Sequence, residues 1–264
     1  MAILFNAPQQ PNAGGTGFMG IIMLDTQFPR PLGDVGHPKT FPCSVHFETI
    51  RGVWPDKVVQ SAASLRQARI VPGLQNIVRL LERKGAWAIT TSCGFLVLLQ
   101  KELQSVTRLP VVSSSLLQLP ALLKIHAQVG VLTISASKLG TEHLRAAGVP
   151  KERLKDVLVQ GMNPLGEFAT QILTNQPTMD LDKASADVVA AAVALKARAP
   201  ALAAVVLECT NMPPYQAALE LATGMKAYSL LDSAALMRPF TGAVNTAIKA
   251  SAPSPTVSSA EAAK

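Results

Sequence analysis

The chain has 264 residues, 48% of them hydrophobic and only 16% charged, with a formal charge of +7. That describes a compact globular protein with enough apolar material for one large core or two small ones. Its Lys and Arg residues are scattered, without a dense basic block or interleaved aromatics, which argues against nucleic acid as a partner and reads instead as solubility and attraction of an anionic substrate.

Residues 1–17 have no basic start and no long apolar core, so they do not read as a secretion signal. No run reaches the roughly 18 apolar residues of a membrane span. Three cysteines, none in a Cys-x-x-Cys pair, support neither a disulfide framework nor a zinc cluster. The expected setting is the cytoplasm, with thiols reduced, no metal and no cofactor.

Short apolar runs then alternate with helical patterns. "FMGIIML" (18–24) reads as a first strand and "FPCSVHFETI" (41–50) as a second. "LQNIVRLLERKG" (74–85) has helical spacing and stops on Gly85, and "AWAITTS" (86–92) is the next strand. A helix over 95–103 and a strand over 110–115 follow. The cycle restarts with strands at 128–135, 154–161 and 202–208 and helices at 140–149, 185–199 and 215–223.

Such alternation argues for an α/β fold with parallel sheets. Its two cycles argue for two pseudo-symmetric Rossmann-like lobes with an active site in the cleft between them. The first lobe is expected to span 18–118 plus 226–250, the latter with a returning helical stretch over 232–250, and the second 119–225. The Pro/Ser-rich end, 251–264, is expected to be disordered.

Two cysteines stand where an apolar run ends. "GAWAITTSCGF" (85–95) places Cys93 after one strand, and "VVLECTNMPPY" (205–215) places Cys209 after another. In open parallel sheets ligands bind beyond the carboxyl ends of the strands, so matched positions in facing lobes put both thiols on one cleft. A thiol at a helix N-terminus is expected to have a lowered pKa. A pair flanking one carbon can act as base and acid, inverting a centre next to a carboxylate. A free cysteine also packs readily as a small hydrophobe; the matched settings favour chemistry for this pair, whereas Cys43 has no matching context and reads as structural.

"ITTSCGF" and "LECTNMPPY" resemble the two cysteine motifs of the aspartate/glutamate racemase superfamily, and "GIIMLDTQFPR" resembles the opening strand and loop of some members. The resemblance spans 18 to about 225. It implies the two-lobe α/β fold and cofactor-independent amino-acid racemisation by Cys93 and Cys209. Glutamate racemases usually follow the first cysteine with Asn-Thr and carry a His after the second Cys-Thr. Gly94-Phe95 and Asn211 stand there instead, which counts against glutamate as substrate.

By the same resemblance, Asp25 and Thr26 contact the substrate, although Asp25 serves equally well as a turn cap. Ser92, Gly94, Thr210 and Asn211 flank the thiols, and hydroxyls and backbone N–H groups there can hold a carboxylate. Ser135 follows a strand of the second cycle and is a further candidate. Glu208 could point into the second lobe but reads at least equally as structural, and His143, on an expected surface helix, reads as solvated or satisfied in the core rather than catalytic. One alternative is a one-thiolate cis-trans isomerase or decarboxylase. Another, from a different class, is a non-catalytic protein that binds small carboxylates. A homodimer is the ordinary expectation for a soluble enzyme.

Overall fold

The computed structural model describes residues 17–237 except 61, 62, 64 and 66–68. The expected helical return past residue 237 and the tail 251–264 lie outside the described residues.

The first sheet comprises β1 (Phe18–Leu24), β2 (Val45–Ile50), β3 (Ala86–Thr91) and β4 (Val111–Val112), in the order β2-β1-β3-β4. The second comprises β5 (Val129–Thr133), β6 (Val157–Gly161), β7 (Ala204–Leu207) and β8 (Lys226–Tyr228), in the order β6-β5-β7-β8. Every pairing in both is parallel. The two orders are the same pattern written twice, so β3 and β7 occupy equivalent central positions.

Helices among the described residues include α1 (Pro55–Val58), α2 (Val71–Arg83), α3 (Gln100–Gln104), α4 (Leu119–Ile125), α5 (Thr141–Ala146), α6 (Glu167–Leu173), α7 (Leu181–Arg198) and α8 (Gln216–Thr223). None is long and apolar enough to cross a membrane. The equivalence of the sheets extends to their packing. Gly20 of β1 lies under Leu81 of α2, and Gly130 of β5 under Leu195 of α7, each leaving less than 3.0 Å for an added Cβ.

Alternation along β1 covers both faces, as a parallel sheet requires. Ile22 and Leu24 join the large core that runs through both sheets. Met19 and Ile21 pack on the other side with Val35, Phe41, Leu230 and Leu236.

Several boundaries move from the sequence reading. The second strand starts at Val45 rather than 41, because Pro42 has no N–H to donate to a ladder. The segment after Cys93 opens as a 3₁₀ turn, Gly94–Leu99, before α3. Residues 151–156 are also 3₁₀, so β6 begins at Val157. Helices α1, α4 and α6 and the three-residue β8 have no counterpart in the sequence reading. Of the two expectations for His143, the structure has the core one: it is 1% exposed, its Nδ1 accepts the Gly140 N–H, and its ring meets Phe95 edge-on.

Candidate functional site

Cys93 follows β3 and caps its 3₁₀ turn, while Cys209 lies two residues beyond the end of β7. These are the equivalent positions of the two sheets. Both thiols are buried and free, and both line one small cavity. Thr26, Ser92, Gly94, Glu208 and Asn211 line it too, with an apolar wall that includes Phe28, Phe95, Ile134 and Ile172.

The structure brings most of the sequence candidates together here. Thr210 ties the two cysteine turns to each other, its hydroxyl donating to the Ser92 carbonyl at 2.7 Å. Ser92 Oγ in turn accepts the Leu24 N–H at 3.0 Å, fixing the end of β1. Asp25 and Ser135 do not line this cavity. The Asp25 carboxylate accepts the Gly52 N–H and faces Arg51. Ser135 opens onto a separate hollow with Ser137 and Gln160. The reason is local in each case: a carboxylate on a turn takes a nearby backbone donor, and the Ser135 hydroxyl pairs with that of Ser137.

The loop after β1 contributes groups with no obvious signature in the sequence. Arg30 donates to Asp34 Oδ1 at 2.9 Å and to Thr26 Oγ1 at 2.7 Å, and lies over the Phe28 ring. Asp34, 1% exposed, accepts the Asn211 side-chain amide on Oδ2 at 2.6 Å. Asn211 Oδ1 then accepts the Cys209 thiol at 3.4 Å. A continuous chain of hydrogen bonds therefore runs from Thr26 to Cys209, and it fixes the Asn211 amide with its oxygen toward sulfur. Only a motif linking residues 30, 34 and 211 would have signalled this, and their separation in sequence hides it.

Neither thiol shows the lowered pKa expected at a helix N-terminus. Burial, with Glu208 second, pushes Cys93 up to about 12, against smaller opposing effects of the Phe95 and Leu96 N–H groups and Arg30. Burial and then Glu208 also push Cys209 well up, with the Asn211 N–H opposing. The turns after both cysteines are short 3₁₀ segments, whose dipoles are too small to outweigh desolvation.

Glu208 was the residue most undervalued from sequence. It is 1% exposed, with Oε2 accepting the Thr133 hydroxyl at 2.8 Å and Oε1 without a hydrogen-bond partner. Burial raises its carboxyl to about 8. Position 94 must be glycine beside it: a Cβ there would stand 2.1 Å from the Glu208 carbonyl oxygen and 2.4 Å from Oε1.

Chemically the arrangement offers two thiols of unequal character beside one buried carboxyl. Cys209 is held as a hydrogen-bond donor. Cys93 faces backbone N–H groups and a nearby guanidinium, which favour its anion.

Residues 43–237 match the family described as Asp/Glu/hydantoin racemase. Among curated proteins, the chain is 30% identical over 226 residues to a dimethylsulfoniopropionate lyase of Durusdinium sp. clade D, covering 82% of this chain and 72% of that one. It is 28% identical over 234 residues to dimethylsulfoniopropionate lyase 7 of Emiliania huxleyi, covering 81% of this chain but 64% of that relative's length.

Solved structures agree on the architecture. A variant of arylmalonate decarboxylase superposes with a TM-score of 0.51 at 15% identity, covering 91% of this chain and 97% of that one. The aspartate racemase of Picrophilus torridus gives 0.50 at 16%, covering 86% and 95%. The sheet order written twice, the thiols at matched strand ends and the match across most of the sequence have one common explanation: this chain belongs to the Asp/Glu/hydantoin racemase family.

Proposed function

We propose that the chain is a lyase of carbon acids. It removes a proton from the carbon next to a carboxylate and expels a neutral group from the neighbouring carbon, with dialkylsulfoniopropionates as its substrate class. The observation that carries this reading is the inequality of the thiols. Asn211 turns its oxygen toward Cys209 because its nitrogen is committed to Asp34. A Cys209 thiolate would face that oxygen and the nearby Asp34 carboxylate with one backbone N–H, that of Asn211, to oppose them, whereas Cys93 meets two backbone N–H groups and Arg30, so Cys209 serves as a neutral thiol and Cys93 as the base.

The step balances with one base. Cys93 thiolate takes the α-proton, and the C–H electron pair becomes the Cα=Cβ bond. The Cβ–S bond breaks with its pair on sulfur, giving a dialkyl sulfide and acrylate while the proton rests on Cys93. A neutral sulfide needs no acid to leave. Racemisation in both directions requires each thiol to act as thiolate in turn, which the Asn211 orientation opposes.

The sulfonium also answers the high thiol pKa. A cation entering the cavity favours the anion of a neighbouring thiol, so the base forms when substrate arrives. Thr26, Ser92 and the backbone around Gly94 are assigned to the carboxylate. Relatives that carry the lyase name support this choice.

A second reading, amino-acid racemisation by both cysteines, is favoured by their equivalent placement after β3 and β7. Incubation with dimethylsulfoniopropionate, monitored for dimethyl sulfide and acrylate, tests the first. Turnover should fall by about 10³-fold or more in Cys93→Ala, as expected when a general base or nucleophile is removed. Absence of sulfide release, with inversion of an amino acid in a panel followed by circular dichroism, would replace the lyase with the racemase.

A further inference from the structure

We infer that Glu208 forms the cation subsite of this cavity, and that the group it selects is a methylated onium head, sulfonium or quaternary ammonium, rather than a primary ammonium. The inference rests on the reading of the cavity as the site of a small carboxylate.

A buried acceptor left without a partner is costly, and Glu208 Oε1 is one, on a residue that lines the cavity shared by both thiols. The side chain is held rather than adventitious. Thr133 fixes its other oxygen, and Gly94 vacates the space that any side chain at that position would take. An incoming positive charge supplies the compensation that burial withholds, converting a neutral carboxyl into a paired carboxylate.

The neighbours decide the kind of cation. A primary ammonium needs three acceptors. Here Oε1 is the free carboxylate oxygen, while Asn211 Oδ1 already takes the Cys209 thiol. A methylated onium carries diffuse charge and no N–H, and its methyl groups match the wall of Phe28, Phe95, Ile134 and Ile172. Aromatic faces further favour such cations. A metal ion lacks partners: among the described residues no three His, Cys, Asp or Glu side chains are grouped to hold one.

Calorimetric titration of Cys93→Ala, which lacks the proposed base, with ligands that differ in the charge of the head group tests this without turnover. Protein with Glu208 intact should bind 3-(trimethylammonio)propionate at least about tenfold tighter than 4,4-dimethylpentanoate, the carbon isostere with an uncharged head, and tighter than 3-aminopropionate. Glu208→Gln in the same background, which keeps the shape and the Thr133 bond, should reduce the cation-over-isostere ratio to below about threefold.

Equal binding of 3-(trimethylammonio)propionate and 4,4-dimethylpentanoate by protein with Glu208 intact overturns the inference whether or not the Glu208→Gln variant folds. So does a preference that survives in that variant, tighter binding of 3-aminopropionate, or no binding of any of the three. Dimethyl sulfide release by the wild type, measured in parallel, reports on the reaction alone: charge preference without turnover keeps the subsite and removes the lyase.

Discussion

A single methyl group at position 94 would meet the Glu208 backbone at 2.1 Å, closer than atoms pack. The contact is with main chain, so relief requires the two cysteine turns to separate. Gly94→Ala should cost about 1–3 kcal/mol or more through overpacking. A chain of this size should then melt several degrees lower, at roughly 2–4 °C per kcal/mol, with activity lost alongside. A variant with unchanged melting and turnover would mean the turns yield easily. Glu208 itself gives a pH signature. Its folded carboxyl titrates near 8 against an ordinary 4.5. As pH rises through that window the unfolded chain releases the proton first, so the folded state loses up to about 1.4 kcal/mol per pH unit. The contribution is fully present below about 4.5 and gone above about 8. Thermal melts of wild type and Glu208→Gln from pH 5 to 9 should therefore diverge, the variant holding its stability at the alkaline end. Parallel curves would place that carboxyl in water. The sequence showed the cysteines at this scale because strand ends have local signatures. It undervalued Glu208 because burial depends on the opposite half of the chain.

Among elements, the segment from the end of β1 to residue 36 differs most from its appearance in sequence. Its prolines and glycines suggest a loop over a cleft entrance. The structure makes it a clasp: Arg30 and Asp34 fasten it to Asn211, and the Val35 N–H donates to the Thr210 carbonyl. Asp34→Ala would leave Arg30 and the Asn211 amide buried without their acceptor, a loss of about 3–5 kcal/mol by analogy with broken buried pairs. Amide hydrogen exchange across 25–36 should quicken at least tenfold, since local opening follows lost local stability. Exchange unchanged there would show the loop held by its apolar contacts alone. Strands β1, β3, β5 and β7 were legible because inner parallel strands are continuous apolar runs. Helix α2 was legible from its spacing, and α7 from its alanine content. Strand β8 was not, since three residues carry no periodicity. The 3₁₀ turns at 94–99 and 151–156 look like helix and strand respectively until packing decides them.

Across the whole molecule, the repeated sheet order suggests two halves able to fold apart, yet the contacts between them argue otherwise. One apolar core includes Ile22 and Leu74 of the first sheet's layers together with Val131 and Val206 of the second. Polar ties cross the same boundary. Ser115 Oγ donates to the Leu207 carbonyl at 2.6 Å, and Thr210 to the Ser92 carbonyl at 2.7 Å. Gln118 reaches the Ser229 carbonyl at 2.7 Å. Removing either sheet would expose buried apolar residues and orphan these donors, so the halves should unfold together. The aromatic residues permit a direct measurement. Both tryptophans, Trp54 and Trp87, lie with the first sheet, and both tyrosines, Tyr215 and Tyr228, with the second. Urea unfolding followed by tryptophan fluorescence, by tyrosine absorbance and by far-ultraviolet circular dichroism should give coincident midpoints, the mark of a two-state transition. Separated midpoints would mean that each sheet is stable alone. The cavity between them would then be a junction of independent bodies, and the thiols could not be held in one fixed relation to Glu208.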